Sequence, residues 1–92
     1  MITWDDAKRI TNLHKHGIDL AELEPVFDSP MVTVEDDRLH YGEVRLQSLG
    51  WWNETVVFLV WTERTVQDAD CAHLISCRYA NRSQTQSYFD HI

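Results

Sequence analysis

The spacing of apolar residues changes near Met31, and this change limits the folds that the chain can adopt. Before Met31, apolar residues recur every three or four positions, as they do on one face of a helix. After Met31 they alternate with polar residues, as in Val32-Thr33-Val34-Glu35, which is typical of half-buried strands. Helical segments followed by a run of strands indicate an α+β fold with an antiparallel sheet.

Two helices are predicted before the strands. The first covers Asp5 to His16, with an aspartate at its start as the cap and Gly17 as its stop. The second is expected to begin at Asp19, which has a glutamate three residues later, the spacing of a capping box. Pro25 interrupts this second helix, so we expect a kink, or an end near Glu24 and a new turn from Pro25.

Four strands and a last helix complete the predicted order. The strands are expected at Met31 to Glu35, Val44 to Ser48, Thr55 to Thr62 and His73 to Tyr79. Arg82 to His91 is predicted as a polar helix, because Asn81 and Gln84 have capping-box spacing. The predicted fold is therefore two N-terminal helices, a four-stranded antiparallel meander and a C-terminal helix, in a single domain over residues 1–92.

Composition and charge exclude several classes of protein. No apolar run approaches the roughly 18 residues needed to cross a bilayer, so we expect a cytoplasmic protein without membrane contact. The two cysteines cannot supply a disulfide framework. The net charge of -7 argues against a nonspecific nucleic-acid binder, although a local cluster of arginines can still hold a phosphate.

Three arginines are predicted to share one face of the sheet. With hairpin tips near Trp52-Asn53 and Asp68, the side chains of Arg45, Arg64 and Arg78 are expected to point to the same face of the sheet. Guanidinium groups bind phosphate oxygens bidentately, so this face is a candidate phosphate site. The alternative is that these arginines are solubilising surface residues paired with nearby acids. In this register Arg64 and Arg78 lie some 20 Å apart, so one site need not contain both.

The His14-Lys15-His16 cluster is the second candidate. Residues two apart on a helix do not face each other, which makes a metal site at this histidine pair improbable. A solvated helix end is the structural alternative, since cations are favoured in the last helical turn. His16 is a candidate proton donor, because histidine titrates near neutral pH.

The chain resembles a known family, the BrnT toxins of bacterial type II toxin–antitoxin modules. The resemblance covers nearly the whole sequence and rests on the order and spacing of several short motifs. These are Trp4-Asp5 with Lys8, Asn12, Lys15-His16-Gly17, Val26-Phe27-Asp28, Gly42-Glu43 with Arg45, Leu49-Gly50, Thr62-Glu63-Arg64, Ile75-Ser76 with Arg78, and Tyr88.

The resemblance implies a RelE-like fold, with an antiparallel sheet and helices on one side. It also implies an endoribonuclease that inhibits translation without a metal or cofactor. Its inhibitor would be a BrnA-like antitoxin with a ribbon-helix-helix domain, through which alone the complex binds operator DNA. By this match Arg64 and Arg78 are the expected phosphate binders and Arg45 a supporting RNA contact. The candidate proton-transfer groups are Lys15, His16, Glu63 and Tyr88.

A second function is compatible with the same residues. At His73, Tyr79 and Gln84 the chain departs from the family pattern, which usually has charged residues at these positions. A fold can persist while its site decays. The alternative is therefore a catalytically impaired binding module that acts through a protein partner in operon autoregulation, or an orphan without an antitoxin.

Overall fold

The computed structural model describes residues 1–36 and 42–92, and within them the sheet has five strands. The strands are β1 (Ile2–Trp4), β2 (Val32–Asp36), β3 (Arg45–Trp52), β4 (Thr55–Val66) and β5 (Ala69–Tyr79). The α-helices are α1 (Asp6–His16) and α2 (Arg82–His91), and two 3₁₀ helices cover Leu20–Glu22 and Glu24–Asp28. No helix in the described part of the chain is long and apolar enough to span a membrane.

The predicted fold class is wrong in two respects. The strand order is β1-β5-β4-β3-β2, and β1 runs parallel to β5, so the sheet is mixed and has five strands instead of four antiparallel ones. The predicted second N-terminal helix is replaced by the two 3₁₀ helices. Pro25 explains this, since its ring and missing N–H prevent an α-helix from continuing through it. A break near Glu24 was one of the two expected outcomes.

Strand β1 escapes prediction because three residues before a helix give no alternation to detect. Ile2 pairs with Ala72, Thr3 with His73 and Trp4 with Leu74. The chain then turns into α1, where the Asp5 carboxylate accepts hydrogen bonds from the backbone N–H groups of Ala7 and Lys8. The first ten residues thus lie along the edge of β5 that does not pair with β4, and the candidate site lies at this edge.

The predicted hairpins are confirmed, with longer strands. The β3–β4 turn uses Asn53 and Glu54 and the β4–β5 turn uses Gln67 and Asp68, all at positive φ, as tight hairpins require. In the observed register Phe58 pairs with Arg78 and Gln47 pairs with Val60. Strand β5 contains a bulge between the pairs Val60–Ser76 and Trp61–Leu74, which leaves Ile75 as the extra residue.

Helices cover both faces of the sheet, contrary to the one-sided packing implied by the resemblance. The 3₁₀ segments pack on one face, in a core that contains Leu20, Leu23, Val26, Val57 and Leu59. A Cβ at Gly50 would lie 2.5 Å from Val26, so glycine permits this close approach. Helix α2 packs on the other face, where Tyr88 joins a cluster with Leu49, Val56 and Phe58. Helix α2 covers only one end of its face.

Helix α1 lies beside β5 and is held there by the buried side chain of Asn12. Its Nδ2 donates to the carbonyl oxygens of Ile18 (2.9 Å) and Cys77 (3.0 Å), and its Oδ1 accepts from the Cys77 backbone N–H (2.9 Å). One side-chain amide therefore replaces the backbone partner that a further strand would give β5. At the same end of the chain, Arg9 is ion-paired with Asp19, and this guanidinium lowers the pKa of Asp19 to about 2.

Candidate active site

A groove opens on the part of the sheet that α2 leaves uncovered. Its volume is about 360 Å³, and its polar lining comes from four segments of the chain. Strand β4 supplies Arg64, the start of β3 supplies Arg45, β5 supplies His73 and α1 supplies Lys8. Sheet register explains the grouping, because Thr62 pairs with His73 and the side chains of residues 62 and 64 point to the same face.

Among the described residues, three cations and two carboxylates line this groove, so their balance is positive in a chain of net charge -7. Of the carboxylates, Asp5 is engaged in capping α1. Glu43 lies between the arginines, with Oε2 3.4 Å from Nη2 of Arg64 and Oε1 3.9 Å from Nε of Arg45. Glu43 keeps the two guanidinium groups close together and partly neutralises them. A phosphate in the groove would compete with this carboxylate for them.

His73 is the titratable group in the groove that departs most clearly from its ordinary behaviour. Its Nδ1 is hydrogen-bonded to the Thr3 hydroxyl at 2.8 Å, which fixes the ring against β1. Burial lowers the pKa of His73, and the positive charge of Arg64 lowers it further, against the opposite effects of Glu43 and Asp5. The imidazole is therefore neutral at neutral pH, the form that accepts a proton.

A smaller groove of about 160 Å³ continues the site along α1. It is lined by Lys8, Lys15 and His16 from the helix and by Ser76 from β5, together with Asn12. Lys8 lines both grooves, so the sequence-predicted residues Lys15 and His16 lie on the same side of the molecule as Arg45 and Arg64. His14 does not line either groove, and within the described residues no three histidine, cysteine or acidic side chains are grouped to hold a metal ion.

Arg78 shares the sheet face of Arg64 but lies at its other end. Its partner Phe58 is six residues from Arg64 along β4, or about 20 Å. The guanidinium carbon of Arg78 lies 4.5 Å above the Phe58 ring. Its Nη1 also donates to Gln84 Oε1 (3.0 Å) and to the Tyr79 carbonyl (3.2 Å). Arg78 therefore ties β5 to the cap of α2.

These contacts predict a structural cost for Arg78→Ala. The substitution removes a cation–π contact and two hydrogen bonds at the start of α2, so we expect the free energy of unfolding to fall by about 1–2 kcal/mol. Urea denaturation followed by circular dichroism measures it. Arg82→Ala, at an exposed position of the same helix, is the control and should cost less than about 0.5 kcal/mol. Equal losses in the two variants would contradict the role assigned to Arg78.

Two of the sequence-predicted residues lie outside the grooves. Tyr88 is 1% exposed, and its hydroxyl donates to the Pro30 carbonyl oxygen at 2.9 Å, so it is a packed and satisfied core residue. Glu63 neighbours Arg64 in β4 and therefore points to the opposite face of the sheet. There it lines a different cavity, beside Trp61 and Phe27. The structure does not bring either residue to the arginine groove.

Sequence reasoning missed Lys8 and His73 as candidate site residues. Lys8 lies seven residues before Lys15, hence on the same helix face, and this spacing was the available signal. His73 had no such spacing signal, although it stands at a position where the family pattern usually has a charged residue. Its position in the groove depends on pairing with β1, and on the bulge at Ile75 that resets the facing of β5.

Fold and site together define a class of protein: a small α+β protein whose mixed sheet presents a cationic groove, suited to the phosphate groups of a polyanion. Over residues 4–84 the chain matches the family described as the ribonuclease toxin BrnT of type II toxin–antitoxin systems, and it belongs to that family. Membership makes it a ribonuclease toxin at the level of the family, with RNA as its target and a protein antitoxin as its partner. No curated protein gives a significant match.

Proposed function

We propose that this protein is a metal-independent endoribonuclease that cuts RNA in the groove formed by Lys8, Arg45, Arg64 and His73, and thereby inhibits translation. The observation that carries the proposal is the convergence of these residues from α1, β3, β4 and β5. In an acidic protein, concentrating cations at one place gives RNA a local attachment point that the overall charge does not.

The groove offers the groups that RNA transesterification needs. Arg45 and Arg64 are placed to bind one phosphate together, since both contact the same Glu43 carboxylate. Their charge would stabilise the extra negative charge that develops when the ribose 2′-hydroxyl attacks the adjacent phosphorus. Lys8, Lys15 and His16 extend the positive surface along α1 and would hold the neighbouring backbone.

Neutralisation would come from a BrnA-like antitoxin with a ribbon-helix-helix domain, through which the complex would bind operator DNA. Family membership supports a protein antitoxin. The structure supports regulation by a partner in one further respect. A partner that supplies a carboxylate to the groove would meet the same guanidinium groups that Glu43 already contacts.

A catalytically impaired binding module is the second candidate, and one observation favours it. Glu43 is already paired with the two arginines of the groove. Gln84, one of the departures from the family pattern, accepts a hydrogen bond from Arg78 outside the groove. In this case the protein would act through its protein partner in operon autoregulation, and RNA would not be cleaved.

Induced expression of the wild type alone in a bacterial host separates the two functions. An endoribonuclease should arrest growth within about one generation, with decay of messenger RNA, and co-expression of an antitoxin should restore growth. The purified protein should cut single-stranded RNA in the presence of EDTA and leave 2′,3′-cyclic phosphate ends. Normal growth with folded protein, and intact RNA in vitro, would favour the binding module.

A further inference from the structure

We propose that His73 is the general base of the ribonuclease reaction and that Thr3 is the positioning residue that holds its ring. This inference deepens the proposed function and rests on it. It starts from two observations: His73 lines the groove that contains Arg45 and Arg64, and its Nδ1 contacts a hydroxyl of the neighbouring strand.

The hydrogen bond with Thr3 engages one ring nitrogen, Nδ1, and leaves Nε2 for the reaction. A neutral imidazole carries one proton, and the nitrogen without it accepts. Thr3 Oγ1 lies 2.8 Å from Nδ1. We assign the proton of this hydrogen bond to Nδ1, which leaves the lone pair on Nε2, the nitrogen that Thr3 does not engage. A fixed partner on one nitrogen is the usual way in which a catalytic histidine is held in the reactive tautomer.

The reaction step is a transesterification. Nε2 of His73 takes the proton of the ribose 2′-hydroxyl, the O2′–P bond forms and the P–O5′ bond breaks. The departing 5′ oxygen takes a proton from solvent, which the open groove admits, and His73 later returns its proton to solvent. The products are a 2′,3′-cyclic phosphate and a 5′-hydroxyl, with no net change in protons, oxidation state or metal content.

The charges around His73 fix the expected pH dependence. Lys8 and Asp5 face the groove from the start of α1, Glu43 and Arg45 from the start of β3, and Arg64 from β4. Burial and Arg64 lower the pKa of His73 below its ordinary value of 6.5. A base must be unprotonated, so the rate should rise with pH up to this lowered pKa and level off above it.

The other proton-transfer candidates are placed less well for this step. Tyr88 is buried with its hydroxyl bonded to Pro30, and Glu63 points to the opposite face of the sheet. Lys15 and His16 line the smaller groove, which does not include either Arg45 or Arg64. Lys8, Asp5 and Glu43 share the groove with both arginines as well, but Lys8 is a cation, Asp5 caps α1 and Glu43 is paired with the arginines. Of the described groups in the groove, His73 is therefore the best placed to act as the base.

The test compares His73→Gln with wild type on a single-stranded RNA oligonucleotide between pH 5 and pH 8. Glutamine retains a polar side chain but cannot act as a base, so cleavage should fall about 100-fold or more while RNA affinity stays within about twofold. The rise in rate with pH should also disappear. His91→Gln, at an exposed position of α2 remote from the groove, is the matched control and should behave as wild type.

The Thr3 role has its own readout. Thr3→Val removes the hydroxyl and should lower the rate about tenfold, whereas Thr3→Ser keeps it and should restore the rate. Nitrogen-15 NMR of the wild type should report the Nδ1–H tautomer for His73 and a pKa below 6.5. This measurement does not depend on activity or on the folding of any variant.

The possible outcomes separate this inference from the function on which it rests. A wild type that binds but never cuts RNA overturns the proposed function, and the general base with it. An active wild type whose His73→Gln variant retains its rate and pH profile overturns only the role of His73. An Nε2–H tautomer in an active enzyme has the same consequence.

Discussion

Arg64→Ala should abolish growth arrest when the protein is expressed without an antitoxin. Arg64 lies in the groove beside Arg45 and His73, and its charge is expected to act on the phosphate when negative charge develops there. Removing one such group typically costs about 100-fold or more in rate. The arginine side chain is 46% exposed, so the free energy of unfolding should change by less than about 0.5 kcal/mol.

The matched control for this substitution is Arg82→Ala. Arg82 is an exposed arginine on α2 that does not line the groove, so this variant removes the same net charge without touching the site. It should remain fully toxic. Growth curves, RNA integrity and cleavage rates of the purified variants provide the comparison. Equal toxicity of the two variants would remove Arg64 from the site.

Asn12→Ala should cause the largest loss of stability among alanine substitutions on α1. The Asn12 side chain is 4% exposed and bonds the backbone of Cys77 twice and that of Ile18 once. Alanine leaves a buried N–H and two carbonyl groups without these partners, so we expect a loss of about 2–4 kcal/mol. Asn12→Asp should be at least as damaging, because a carboxylate cannot donate to either carbonyl oxygen.

Thermal and urea denaturation of the purified variants measure this loss. The control is Thr11→Ala, at the neighbouring exposed position, where the hydroxyl bonds only within the helix. This variant should lie within about 0.5 kcal/mol of wild type. If Asn12→Ala were as stable as Thr11→Ala, the amide would not be the group that attaches α1 to β5.

The elements that could be predicted from the sequence are those with a local cause. The capping box of Asn81 and Gln84 gives α2 its observed start, and the left-handed residue Gly17 ends α1 as expected. The β-hairpins follow from alternation and from Asn53 and Asp68, which are residue types that tolerate positive φ. Strand β1 could not be predicted in this way, because its partner Ala72 lies 70 residues from Ile2 in the sequence.

The candidate site, like the fold, combines features that could be predicted from local sequence with features that depend on remote strand pairing. Sequence parity was sufficient to place Arg45 and Arg64 on one sheet face, and the resemblance pointed to the same residues. The sequence did not show which of the three arginines lie close together. That depends on strand register and on α2, which holds Arg78 at the end of the sheet face remote from Arg64. His73 depended on both the parallel pairing and the bulge, and neither has a signature in the local sequence.

The distance in sequence between the two sides of the groove also determines when the groove can form during synthesis. Thr3 is synthesised 70 residues before its partner His73, and Asn12 is synthesised 65 residues before its partner Cys77. Contacts between such remote segments form only when both have been synthesised. A growing chain that has not yet reached β5 therefore carries no assembled groove.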